Sequence, residues 1–446
     1  MNKLLALTPL AVAIGSSLVA PSAVASEETN STSSATETIQ VFGHQYEGYA
    51  EHMPQSGTKT DVEWLDVPQA VSVVTKTEMQ DRGAVRLVDA LDGVAGVNNT
   101  LGEGSRDQFM IRGFDSLNDM YRDGLRDDGT LQSYRSLANV ERVEIVKGPA
   151  GALYGRGSAG GIINLVTKRA NGENFTHVNG SVGSNNQYVG QVDSSMAFTD
   201  KVNGRINLEY RQADSYVDHV DSNDFFIAPT IRVLPAEGHT IDIDVEYAHQ
   251  ELVPYRGVPS KNGKPVDLPV STYFGGTNDY QESDSLRIAV DYEWRLNDQW
   301  VWNNRAAFNH IELEQKGTRQ GKVTGNEVSQ TVNNFGYDPR TTTTLQSELV
   351  WETRDNQLMV GADFNQIDID LTLASDKTLP PQNIYDPVVG PTPDPGFKPF
   401  RDNTTTTTGL YVQDVYTWGD LSLIGNVRYD SCLLYTSPSP RDTRES

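Results

Sequence analysis

Cysteine is almost missing from this chain: Cys432 is the only one among 446 residues. That excludes an internal disulfide and leaves too few thiols for a zinc cluster or iron–sulfur ligation. Basic residues are scarce as well, with 36 Lys and Arg against 60 Asp and Glu and a net charge of -24. A nucleic-acid partner needs a basic footprint that displaces counterions, so none is expected. Long apolar runs are missing after the first 25 residues, which rules out a helical membrane span there, since that takes about 18 or more consecutive apolar residues. A β-barrel stays open, because its strands need only alternate. A Walker lysine, His-rich metal spacing and a Gly-x-Ser-x-Gly elbow are also absent, so the sequence offers no catalytic residue, no metal ligand set and no cofactor site.

What is present begins with Lys3, an apolar stretch from Leu4 to Ala20, and the small residues Ala23-Val24-Ala25. This pattern predicts a secretory signal peptide over 1–25 rather than a retained anchor helix, for which Pro9, Gly15 and Pro21 are poor choices. Residues 26–60 are rich in Ser, Thr, Glu and Gly and too polar to offset ordering entropy, so a flexible segment is expected. Within it, Glu37-Thr38-Ile39-Gln40-Val41-Phe42 alternates and is β-prone, which from the residues alone is either a peptide suited to pairing with the edge of a partner's sheet or a chance apolar run in a tail.

Composition changes over 61–170. A strand is expected at Val67–Val74 and strands ending in glycine turns at Gln108–Gly113, Met120–Gly124 and Val143–Gly148, with short helices at Thr77–Arg82 and Arg86–Leu91, together a small α+β domain. Gly155-Arg156-Gly157-Ser158-Ala159-Gly160 matches the dinucleotide fingerprint G-x-G-x-x-G, but that motif works only where a helix opens at its last glycine. Here Gly161-Ile162-Ile163-Asn164-Leu165-Val166-Thr167 follows, which is strand-like. The glycines are therefore read as a tight bend with close backbone packing.

Over 174–430 the period is two. Ile241–Tyr247, Leu286–Arg295 and Leu345–Leu349 alternate greasy with charged residues, and eleven such strands are countable before Asp430. The runs are about 10 to 12 residues long and end near Trp294, Trp300, Trp302, Trp351 and Trp418. Long alternating strands with aromatic ends behind a signal peptide predict an antiparallel transmembrane β-barrel rather than a soluble sandwich or solenoid. Connectors alternate between tight (Thr199-Asp200, Trp418-Gly419-Asp420) and long (251–284, 315–340, 374–404), as short periplasmic turns and long extracellular loops do.

In this order, signal, β-prone peptide, α+β domain and barrel strands, the chain resembles the TonB-dependent outer-membrane receptors for ferric siderophores. The resemblance rests on Glu37-Thr38-Ile39-Gln40-Val41, similar to a TonB box. It rests further on Val67-Pro68-Gln69, Ile111-Arg112-Gly113-Phe114, Asp123-Gly124, Val140 to Pro149, Leu153-Tyr154-Gly155 and Gly160 to Lys168. It implies an α+β plug domain followed by a 22-stranded barrel of which about half is present. It also implies import of a ferric siderophore without covalent chemistry, with TonB, energised by ExbB and ExbD, pairing with the box. A monomer in outer-membrane lipid is expected. A haem or cobalamin receptor, or an uncoupled porin-like barrel, is the alternative.

Tyr121 to Gly129 looks like the plug loop of catecholate-type receptors. Arg106, Arg126 and Arg135, with Tyr134 as a stacking face, are the expected contacts to an anionic aromatic ligand. Arg112, Glu141, Arg142 and Glu144 match the family motif and are expected to brace plug against barrel. Since the family closes with 22 strands, an open eleven-stranded sheet would leave unpaired edges in lipid, and a parent of roughly 700 residues is expected. Residues 431–446 drop the alternation and are read as a non-native read-through tail, Cys432 included.

Overall fold

The computed structural model describes residues 48–49, 54–60, 62–100, 104–127, 133–157, 159–374, 378–419 and 421–436. The expected signal peptide and the box at Glu37, Thr38, Ile39, Gln40 and Val41 lie outside them. The described residues cluster as one compact unit.

The first half of that unit is the small α+β domain. Its main sheet contains β1 (Ala70–Thr75), β2 (Met120–Arg122), β3 (Leu125–Arg126), β4 (Val140–Lys147) and β5 (Gly161–Thr167), in the order β1-β4-β5-β2-β3. Only β2 and β5 run parallel. Helices α1 (Lys76–Asp81) and α2 (Leu87–Leu91) pack their apolar sides on this sheet, with Leu87, Ile111, Val143, Ile145, Ile163 and Leu165 at its core, all 0% exposed. Thr75 caps α1 by accepting from the Glu78 amide at 3.3 Å, which supplies one of the four amides a helix start leaves unpaired. The glycine motif lies between a short helix, α3 (Gly151–Tyr154), and β5. A strand follows it, so no helix N-terminus is available for a pyrophosphate. Gly161 has φ +134, and a Cβ there would stand 1.9 Å from the Val146 carbonyl oxygen, so β5 can approach β4 only without a side chain at its first residue.

The second half is one eleven-stranded antiparallel meander: β6 (Phe175–Gly183), β7 (Gln187–Thr199), β8 (Val202–Asp214), β9 (Asp221–Val233), β10 (His239–Leu252), β11 (Tyr280–Asn297), β12 (Trp300–Lys316), β13 (Asn334–Glu352), β14 (Asn356–Ala374), β15 (Lys398–Trp418) and β16 (Leu421–Thr436). Each strand pairs with its sequence neighbours, and β6 and β16 are the edges. The sense of the alternation is inverted relative to a soluble sheet. On β10, Asp242, Asp244, Glu246 and Gln250 are buried while Ile243 and Tyr247 are 38% and 37% exposed. Charged residues face the plug and apolar ones face outward, the arrangement a barrel needs in lipid. Tryptophans cluster at the short-turn rim, Trp294 with Trp302 at 6.1 Å and Trp300 with Trp351 at 6.3 Å between ring centroids, as in an interfacial girdle.

The strands are longer than the alternation alone suggests, reaching 21 residues in β15. They run past the expected boundaries, and the long connections are not irregular. Thr318–Thr324, Glu327–Val332 and Thr378–Asn383 form a three-stranded sheet contributed by two connections. Val266, Phe274, Val328 and Ile384 bury a small core between three of them. At the other end of the chain, Ser431–Thr436 remain paired with Asn403–Thr408 in β16, so the strand does not stop at Asp430. Inward burial does stop: every residue from Tyr429 to Thr436 is exposed. Main-chain hydrogen bonds from β15 carry the strand on after the side-chain pattern has ended.

Candidate functional site

The plug is fixed to the inner face of the strands by charge. Six of its basic residues reach carboxylates on the wall, Lys76 the most loosely at 3.9 Å from Asp193. Arg86 donates to Asp224 at 2.9 Å and Lys168 to Asp193 at 3.1 Å. Arg122 pairs with Glu246, which also accepts from Asn139 at 2.9 Å and lies 3.7 Å from Arg287. Arg169 pairs with Asp244 and stands 3.6 Å from Asp291. Lys59 donates to Glu348 at 3.1 Å and to the Tyr411 hydroxyl at 3.2 Å. Strand periodicity puts Asp242, Asp244 and Glu246 on one face, so a single strand presents a row of anions to the plug. Such buried pairs contribute less net stability than their Coulomb attraction suggests, but removing one partner strands the other and is costly.

Carboxylates inside the plug are set by the same balance. Burial raises the pKa of Asp123, yet Arg169, Arg287 and the amide and hydroxyl of Thr167, at 2.8 and 2.9 Å, outweigh it and hold the carboxyl below its usual range. Asp127 is likewise held low against its burial by Arg135 and Arg122. At Asp107 burial wins over Arg135 and the carboxyl is pushed up to about 6.

The tip of the plug, around Ser105, touches the strand ends on the long-connection side. Gln281 donates to the Ser105 carbonyl at 3.2 Å, and the Ser105 hydroxyl lies 3.4 Å from Gln315. A Cβ on Gly104, at φ +78, would fall 1.9 Å from the Tyr255 carbonyl oxygen, so this contact with the connection after β10 requires glycine. Behind the tip a cavity of about 40 Å³ lies between Tyr134, Arg135 and Ser136 of the plug and Glu246, Gln250, Arg287 and Asn309 of the wall. That is space for a water-sized occupant, not for a siderophore.

The structure scatters the expected ligand residues. Arg106 is half-buried at the tip, next to Ser105. Arg126 folds over the Tyr121 ring at 5.2 Å and donates to the carbonyls of Asn118 and Arg156. Tyr134 is held by Gln250 through both its amide, at 3.1 Å, and its carbonyl, at 2.7 Å, and the Arg86 guanidinium covers its ring at 4.3 Å. Arg135 does not face outward: its side chain is 1% exposed and is enclosed by Asp127 at 3.3 Å and Asp107 at 3.7 Å.

The expected braces are placed differently too. Arg112 is exposed on the plug's own surface at φ +50, its amide donating to Gly96 at 2.8 Å. Arg142 and Glu144 pair with each other inside the plug, and Glu144 accepts from the Ser56 amide at 2.8 Å. Residues two apart on β4 share one face and so meet each other, and through Glu144 this pair holds the N-terminal lead of the plug. Glu141 is half-buried on β4. The residues that do brace the wall are Lys59, Lys76, Arg86, Arg122, Lys168 and Arg169, and no sequence signal singled them out.

A plug bound inside outward-greasy strands defines a class, the gated outer-membrane barrel. The family model described as TonB-dependent Receptor Plug Domain matches residues 64–162, and that described as TonB dependent receptor-like, beta-barrel, matches 234–439. The chain belongs to the TonB-dependent receptor family and is an outer-membrane protein. It is 28% identical over 427 residues to the ferrioxamine B receptor of Salmonella typhimurium, covering 87% of this chain and 58% of that one. It is 27% identical over 349 residues to the metal-pseudopaline receptor CntO of Pseudomonas aeruginosa, covering 76% and 49%. With the catecholate siderophore receptor Fiu of Escherichia coli it shares 25% over 273 residues, covering 56% and 35%. The crystal structure of Fiu in its closed form superposes with a TM-score of 0.78 at 23% identity, over 86% of this chain and 59% of that one. The chain thus covers between 35% and 59% of the length of these relatives.

Proposed function

We propose that the receptor to which this chain corresponds imports a ferric siderophore across the outer membrane, driven by TonB. The observation that carries this reading is the plug: a passive pore gains nothing from a folded domain held in its lumen by buried ion pairs, whereas a coupled importer needs an obstacle that can be pulled. Glu37, Thr38, Ile39, Gln40 and Val41 supply the strand for TonB, by main-chain pairing that needs no particular side chain. ExbB and ExbD would energise TonB, and the receptor would act as a monomer. The ligand class follows from similarity to receptors for ferrioxamine B, metal-pseudopaline and catecholates, which agree on metal chelates and differ in chelating chemistry.

Of the four expected ligand residues, Arg106 is the one we retain, because it stands at the plug tip beneath the long connections, whereas Arg135 is enclosed by carboxylates. The test is uptake of radiolabelled ferric siderophores, one hydroxamate and one catecholate, by iron-starved cells carrying the receptor. Uptake is expected only with TonB present and is expected to be lost in I39P. Uptake that persists without TonB overturns the coupled reading.

A further inference from the structure

The residues leading into the plug are fastened more firmly than a connecting segment requires. Between Pro54 and Thr60 only Gln55 is exposed. The Ser56 amide donates to Glu144 at 2.8 Å, the Tyr154 hydroxyl donates to the Ser56 carbonyl at 3.0 Å, and the Asn164 amide donates to the Ser56 hydroxyl at 2.9 Å. These three bonds tie the segment to the plug. The next residues tie it to the wall: the Gln413 amide donates to the Thr58 carbonyl, and Lys59 reaches Glu348 and Tyr411.

Lys59 is unusual in several independent ways. Its φ is +57, a left-handed conformation that is unfavourable for a non-glycine residue and persists only where surrounding contacts hold it. Its side chain is 4% exposed against 1% for Glu348. Burial pulls its pKa down, with Glu348 pushing back. Its ammonium sits 5.0 Å from the Tyr154 ring centroid on the plug and 4.4 Å from that of Tyr411 on β15, two faces that attract a desolvated cation. Glu348 in turn accepts from the Tyr411 hydroxyl at 2.6 Å and lies 3.6 Å from Arg305. One side chain therefore joins the lead segment, the plug and two wall strands, eighteen residues after Val41.

We propose that Lys59 is a positioning residue that latches the lead of the plug to the barrel wall through Glu348 and Tyr411, so that a pull from the N-terminal side must break this contact before it reaches the plug sheet. A buried charge pair suits such a device. It holds without load, and once its geometry is lost it leaves two desolvated charges that favour full release over partial slippage. The direction of the pull rests on the import reading, but the latch itself does not.

The test reads the latch without TonB or ligand. Cys432 is the one cysteine of these 446 residues and is exposed, so C432S, with any further cysteine of the receptor replaced likewise, gives a silent background. Thr60 is 7% exposed, and T60C reports opening of the segment through its rate of reaction with a maleimide on the receptor in proteoliposomes. K59M and E348Q are each expected to raise that rate about tenfold, and the double variant to exceed the faster single by less than twofold, because both remove the same interaction. Heat-modifiable migration of the barrel on gels confirms assembly. Should K59M fail to assemble, E348Q alone decides. Rates within twofold of the parent in the assembled variants overturn the latch. The faster rates together with TonB-independent uptake would overturn the import reading and leave the latch standing.

Discussion

Asp107 lies at the buried root of the plug tip, accepting from the Arg135 amide at 2.8 Å, with the Arg135 guanidinium 3.7 Å away. Its carboxyl is pushed up to about 6 because desolvation outweighs that neighbour. A carboxyl whose pKa is higher folded than unfolded adds stability below its unfolded value, near 3.9, and loses that contribution as pH rises through 6. The thermal stability of the parent relative to D107N should therefore rise as pH falls from 7 to 5, which calorimetry at matched ionic strength would measure. A flat difference would mean that Arg135 neutralises the carboxylate fully. Glu246 gives a prediction without a pH term. It serves Arg122, Asn139 and Arg287 together, so E246A leaves two guanidinium groups buried with less compensation. A loss of about 3–5 kcal/mol in resistance to urea is expected, against little change when the half-buried Glu141 on β4 is altered by E141Q.

At the level of elements, the extracellular connections are better ordered than their Pro, Gly and Asn content suggested, and Asp279 is the reason. Its carboxylate accepts from the amides of Gly276 at 2.9 Å and Thr318 at 3.0 Å and from the Thr392 hydroxyl at 2.6 Å, so one side chain joins three connections. D279A removes those acceptors from a site only 6% exposed, at a cost of about 1–3 kcal/mol per orphaned donor. Proteolysis between Thr318 and Val332 and between Thr378 and Thr392 should accelerate, while the strands β10 to β15 stay intact. Cleavage confined to one connection would show that they move separately. The strands themselves were legible because alternation is a local property: Ile241 to Tyr247 announces two faces within seven residues. Which face met lipid was legible only through the signal peptide and aromatic ends. The partners of Lys59, Arg86 and Arg169 were not legible, because they lie 289, 138 and 75 residues away in the chain and no periodicity reports a contact across that distance. What Arg112 and Arg142 touch was not legible either, because a family motif marks a residue without saying what it meets.

Over the whole molecule, the acidic balance of -24 has a structural counterpart in the wall, where Asp193, Asp224, Asp244, Glu246, Asp291 and Glu348 meet the plug's cations. How these pairs respond to salt decides what kind of fastening they are. If they were hydrated surface pairs, raising NaCl from 0.05 to 1 M would shrink the Debye length to about 3 Å and loosen the plug. The tightest pairs are closed to solvent, Lys59 and Glu348 at 4% and 1% exposed and Arg122 and Glu246 at 5% and 8%, while Arg169 and Asp291 are 21% and 27% exposed. Mobile ions cannot enter such sites without first opening them, so the plug should stay protected from added protease across that range of salt, and only the exposed pairs such as Arg295 with Glu293, 62% and 38% exposed, should lose their attraction. Release of the plug by salt alone would place water between plug and wall. Retention would mean that only mechanical work on the lead segment, or loss of a pairing side chain, can separate them.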